Sequence, residues 1–171
     1  MELARRDDIY YTPYVQPMRG ALVGDGIHFI LRDDNAIIKY NWGMNCLSKI
    51  DPPSLDGFYI ALVEMENGSL GFAYIQDSSL YVLSSKVNSD GTAEWVQCWV
   101  IQLEKAIPMA NCSDEELMVV GFVEGMGVIF VSTGAVLFTF ELKSRQMKMV
   151  QEPGVYFSVL PYMSYYTPGL Y

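Results

Sequence analysis

The chain has 171 residues, 51% of them hydrophobic and only 18% charged, with 20 acidic side chains against 11 basic ones and a formal charge of −9. A length of this order supports one substantial core without disulfide or metal staples, and the apolar fraction excludes a chain that is disordered throughout. The acidic balance argues against nucleic acid as a partner, because phosphate-backbone affinity comes from clustered Lys and Arg, and the one short basic run, Arg5-Arg6, is cancelled by Asp7-Asp8.

Residues 1 to 19 mix charges with Tyr10, Tyr11, Pro13, Tyr14 and Pro17 and show no periodicity, so they read as an irregular arm ahead of a domain spanning 20 to 171. From Gly20 onward, short apolar runs rich in β-branched and aromatic residues alternate with Gly, Asp, Asn and Ser, the pattern of successive strands. The predicted strands are Ala21–Val23, Ile27–Leu31, Ala36–Tyr40, Cys46–Ile50, Phe58–Met65, Leu70–Ile75, Leu80–Ser84, Trp95–Leu103, Leu117–Val123, Val128–Ser132, Val136–Leu142, Met147–Gln151 and Tyr156–Leu160. Ser113 with Glu116 three residues on resembles a capping box, enough for a single helical turn before Leu117. Asp51-Pro52-Pro53 and Glu152-Pro153-Gly154 are stops, because proline cannot donate to a sheet ladder. No apolar stretch reaches the ~18–20 residues of a membrane helix, since the richest region, 119–142, is broken by Glu124 and by glycines. Met1 to Asp8 lacks the apolar segment of a secretory signal, and Cys46, Cys98 and Cys112 are odd in number without metal-ligand spacing, so a soluble protein with reduced thiols in the cytoplasm or nucleus is expected.

The strand pattern repeats. Gly24-Asp25-Gly26-Ile27-His28-Phe29-Ile30-Leu31 aligns with Gly125-Met126-Gly127-Val128-Ile129-Phe130-Val131-Ser132. With one residue of slippage, Ile37–Tyr40 falls over Leu137–Phe140 and Leu47–Pro53 over Met147–Pro153. The strands between supply a third unit around the hairpin Leu70–Tyr74 and Leu80–Leu83. The expected fold is therefore all-β: a partial β-propeller-like array of about three four-stranded antiparallel sheets. Closed propellers carry about four to eight blades, so this array is expected to belong to a longer ring, to close through a partner, or to stand as an open stack whose strand edges favour self-association.

Ala21–Phe29, Ile37–Asn41 with the strand ending Ile50-Asp51-Pro52-Pro53, Glu94-Trp95-Val96, the run from Val119 to Thr133 and the ending Leu160–Pro168 resemble, in order and spacing, the F-box-associated β-propeller domains of plant F-box proteins, above all those of grasses. The resemblance covers residue 20 to the end. It implies a substrate receptor, in which an F-box docks on a Skp1-type adaptor of a cullin-type ubiquitin ligase and the propeller captures a target protein. Residues 1 to 19 do not carry the helical F-box, so adaptor binding is expected only where an F-box lies upstream. The alternatives are an F-box-less decoy or regulator that pairs with a full-length relative, and an enzyme on a propeller scaffold.

Catalytic patterns are weak. Gly24-x-Gly26 and Gly125-x-Gly127 precede strands rather than the helix that would hold a pyrophosphate, so they read as hairpin-turn glycines. His28 is the only histidine and reads as a partly exposed strand residue. The acidic groups Asp33-Asp34, Glu64/Glu66 and Asp114–Glu116 lack the oxygen spacing of a calcium loop and read as solvated turns. No catalytic residue, metal ligand or cofactor is assigned. The residues picked out for protein binding are aromatic: Trp42, Trp99, Tyr162, Tyr165 and Tyr166, a residue class enriched in binding hot spots, with core packing as the competing use.

Overall fold

A computed structural model describes residues 14–15, 20–32, 36–53, 60–87, 93–105, 107, 117–123, 125–150 and 154–161. The strands are β1 (Tyr14–Val15), β2 (Ala21–Val23), β3 (Gly26–Arg32), β4 (Ile37–Asn41), β5 (Cys46–Ile50), β6 (Ile60–Glu64), β7 (Leu70–Gln76), β8 (Ser79–Val87), β9 (Ala93–Gln102), β10 (Met118–Val123), β11 (Val128–Ser132), β12 (Leu137–Glu141) and β13 (Gln146–Met149). They form three antiparallel sheets, β2-β3-β4-β5, β6-β7-β8-β9 and β10-β11-β12-β13, each built in chain order by hairpins. Among the described residues no helix is long and apolar enough to cross a membrane.

The first strand of each sheet lies inside and the fourth outside. β6 packs against both β2 and β10. Every residue of β10 and four of the five in β6 are buried, whereas β5 and β13 are exposed along nearly their whole length. The second sheet is covered on both faces, which is why β7 reads as a continuous apolar run rather than an alternating one. One of its faces, with Ile60, Leu62, Leu70, Phe72 and Tyr74, meets Ala21, Val23, Ile30 and Ile37 of the first sheet. The other, with Ala61, Val63, Ala73, Leu80 and Val82, meets Val119, Ile129, Val131, Phe138 and Phe140 of the third. Three sheets packed face to face with their first strands innermost make an open, propeller-like array.

Turn chemistry fixes the hairpins. Asp77 and Ser78 both hold positive φ, 48° and 53°, the requirement of a two-residue turn that matches strand twist. Gly24 (φ 58°) and Gly125 (φ 71°) occupy the first hairpin turns of the outer sheets, as their reading as turn glycines requires.

The structure departs from the sequence expectations in five places. Within the arm expected to be irregular, Tyr14–Val15 pairs with Arg32 and Leu31, adding a short fifth strand to the first sheet. Tyr156–Leu160 is not a strand: it runs as an extended cover over the third sheet, with the Val159 N–H donating to the Val120 carbonyl at 2.6 Å. A 3-10 turn at Leu103–Lys105 ends the run predicted to finish as strand, and the Leu103 N–H there is held by the Ser78 carbonyl. His28, expected to be partly exposed, is only 4% exposed because its strand position faces the second sheet. The repeat alignment also shifts: Ile37 lies opposite Ile30 as Phe138 lies opposite Val131, so Ile37 corresponds to Phe138 and not to Leu137. The predicted helical turn at Ser113–Glu116 lies outside the described residues.

Candidate protein-binding surface

That one-residue shift inverts faces, because side chains alternate along a strand. Towards the second sheet, the first sheet presents His28, Lys39 and Asn41 at the positions where the third sheet presents Ile129, Phe140 and Leu142. This end of the interface is polar. Lys39 Nζ donates to Asp25 Oδ1 at 2.8 Å, and Asn41 Nδ2 donates to Asp25 Oδ2. The bonds from Lys39 and then Asn41 hold the Asp25 carboxyl below the usual carboxylate value. Burial pushes His28 below the usual imidazole value, opposed by the Ala21 carbonyl near its Nδ1, so the ring is neutral at pH 7.

The same residues brace the turn between β4 and β5. Asn41 Oδ1 accepts from the Met44 N–H at 2.9 Å, and Tyr40 Oη donates to Asn45 Oδ1 at 2.9 Å. Asn45 takes a left-handed conformation, φ 51°, which asparagine tolerates better than most residues. A turn fixed at both ends by polar contacts thus lifts two large apolar side chains into solvent: Trp42 is 48% exposed and Met44 71%. The corresponding turn of the third sheet, between β12 and β13, carries Lys143 and Ser144 and offers no such pair.

No protein-family model matches the chain, and no curated protein matches it significantly.

Of the residues picked out from sequence, Trp42 alone is exposed among those described. Trp99 lies opposite Val82 and is partly buried against the core between the second and third sheets, where it packs. Tyr162, Tyr165 and Tyr166 lie outside the described residues. Trp95 is structural: its ring packs on Phe72, centroids 5.7 Å apart, and its Nε1 donates to the Asp51 carbonyl at 2.9 Å, tying the end of β5 to the second sheet. Met44 was not picked out, and a methionine in a turn gives no periodic signal; the signal available was its contrast with Lys143, Ser144 and Arg145 of the matching turn. Among the described residues no group of three His, Cys, Asp or Glu side chains is placed to hold a metal ion.

Proposed function

We propose that the chain is a protein-binding module that acts as the target-recognition part of a cullin-type ubiquitin ligase receptor, rather than as an enzyme. The observation that carries the reading is the braced β4–β5 turn, which holds Trp42 and Met44 in solvent instead of folding them into the core. An aromatic side chain with two rotatable bonds on a fixed turn loses little entropy on binding, and methionine adapts to an irregular partner. The partner is a protein surface with an apolar recess that accepts the indole. A Skp1-type adaptor enters only through an F-box preceding this segment. The surface thiols Cys46 and Cys98 are free, which fits a reducing compartment, the cytoplasm or nucleus.

The test is affinity capture with the wild-type chain and the Trp42→Ala/Met44→Ala variant, followed by titration of the recovered protein. A discrete protein whose affinity falls at least 30-fold in the variant supports the reading, that factor corresponding to the ~2 kcal/mol threshold of a hot-spot side chain. Equal affinity of the two chains, or no discrete protein, overturns it.

A further inference from the structure

The extended tail stands where a fourth sheet would begin. After β5 the sequence runs through Pro52-Pro53, and β6 starts at Ile60, ten residues beyond Ile50. After β13 it runs through Pro153-Gly154, and Val159 lies ten residues beyond Met149. Ile50 lies opposite Ile37 as Met149 lies opposite Phe138, so the two strand ends are equivalent and Val159 corresponds to Ile60. Both residues pack back on the sheet just completed: Ile60 shares a core with Ala21, Val23 and Ile37 of the first sheet, and Val159 packs on Met118, Val120 and Leu137 of the third. The tail meets the innermost strand β10 through the Val159 to Val120 hydrogen bond, in the place that β6 takes against β2 and β10 takes against β6.

The two positions differ on their outer side. Ala61, next to Ile60, is 5% exposed, because β7 completes the ladder of β6 and the third sheet covers that face. Leu160, next to Val159, is 71% exposed, with Phe157 at 72% and Val155 at 63%. A segment apolar on both sides has the composition of a strand buried on both faces, as β7 is, yet residues 157–160 form no ladder. In all three sheets the innermost strand pairs antiparallel with the strand that follows it: β2 with β3, β6 with β7 and β10 with β11.

We infer that residues 157–160 are a strand-addition site, to which a partner protein supplies an antiparallel strand carrying apolar residues, as β7 is added to β6. The array itself sets the nature of the occupant, since a β-strand fills the equivalent place in every sheet. Main-chain hydrogen bonds give such a contact its affinity, and the side chains of Phe157 and Leu160 give it selectivity. The site lies on the third sheet, at the other end of the stack from the Trp42 turn, and does not rest on the function proposed for that turn.

Fluorescence anisotropy of the full chain with a labelled peptide of the sequence Gly26–Arg32 tests the inference, because that strand already pairs with an innermost strand of this array. The expected result is saturable binding, weakened at least tenfold by Phe157→Ser/Leu160→Ser. His28→Pro in the peptide removes a main-chain donor, keeps every apolar side chain and weakens binding at least tenfold as well. Leu47→Ser, at an equally exposed apolar residue of β5, leaves the affinity unchanged. Circular dichroism reports that each variant is folded, and Leu160→Lys alone, the second variant, weakens binding at least threefold. No saturable binding, equal affinity in both tail variants, or equal affinity for the proline peptide overturns the inference.

Discussion

Replacing Gly121 by alanine tests the cover that shuts the third sheet. Gly121 sits beside a register shift in β10, between Val119 and Gly121, and there the extended tail approaches most closely. A Cβ on Gly121 would lie 2.6 Å from the Val159 carbonyl oxygen and 3.2 Å from Val159 Cβ, where ordinary contact begins at 3.4 Å. Both obstacles belong to the tail, and the nearer is backbone, so no rotamer change relieves them. If the tail stays, the strand must shift, at the ~1–3 kcal/mol typical of overpacking. If the tail lifts, the Val159 to Val120 hydrogen bond is lost, about 1 kcal/mol, together with the packing of Tyr156 and Val159 on Val120 and Leu137. Either route costs about 2 kcal/mol. With a denaturant slope near 2 kcal/mol per molar, typical of a small domain, the urea midpoint falls by about 1 M. Limited proteolysis reports which route is taken, since a lifted tail is cut before the sheets are. Gly43→Ala is the control: its added Cβ meets only Asn41 Oδ1 at 3.5 Å and its φ is not in the left-handed region, so the midpoint is expected to stay put. A wild-type midpoint and wild-type tail cleavage in Gly121→Ala would refute the argument that the tail is seated on the third sheet.

Two further outcomes follow from the interfaces between sheets. Because burial lowers the folded-state pKa of His28, the unfolded chain binds a proton first on acidification; the stability due to the neutral ring is fully present above ~6.5, the unfolded value, and is lost as pH falls through the lowered folded value. The groups facing His28 are Lys39, which also lowers its pKa, and Asp25, which raises it. His28→Ile, the residue found at the matching position of the third sheet, is expected to flatten the stability profile below pH 6.5 in denaturant titrations at stepped pH; an unchanged slope counts against a buried neutral ring. Phe72 is 1% exposed and packs on Tyr74 and Trp95, so Phe72→Ala is expected to cost about 3–5 kcal/mol, and a loss below 1 kcal/mol in calorimetry shows that the first interface does not rest on it.

The strands were legible because each is a short apolar run closed by turn residues, and the repeat was legible because Gly24 and Gly125 punctuate equivalent hairpins. Their faces were harder to read. Ile37 matches Leu137 by residue type, yet one residue of slip exchanges the two sides of a strand, and only the hydrogen-bond register shows that Lys39, not Tyr40, stands where Phe140 does. The burial of His28 was hidden by its polarity instead, since it falls on Ile129 in the repeat without any slip. Tyr156–Leu160 has strand composition, but it follows Pro153-Gly154 and meets the innermost strand through the Val159 to Val120 bond, which leaves it an extended cover without a ladder. Trp42 was legible as an aromatic among turn residues, although a period of two tells which residues share a face and not whether that face is covered.

The contrast between the two interfaces sets an order to the loss of structure. The second and third sheets share an apolar seam in which Ile129, Phe140 and Leu142 are all at most 4% exposed, while the first sheet meets the second partly through His28, Lys39 and Asn41. Pairing is local in every sheet, so each hairpin unit can separate without unthreading another, as in repeat arrays. The first sheet therefore peels away before the other two, uncovering Phe72 and Tyr74 while the Phe140 seam still holds. Native-state amide exchange would see β3 and β4 open well before β7, β8 and β11. The weak seam runs beside the turn that carries Trp42, so the proposed recognition turn is mounted on the least tightly held of the three sheets.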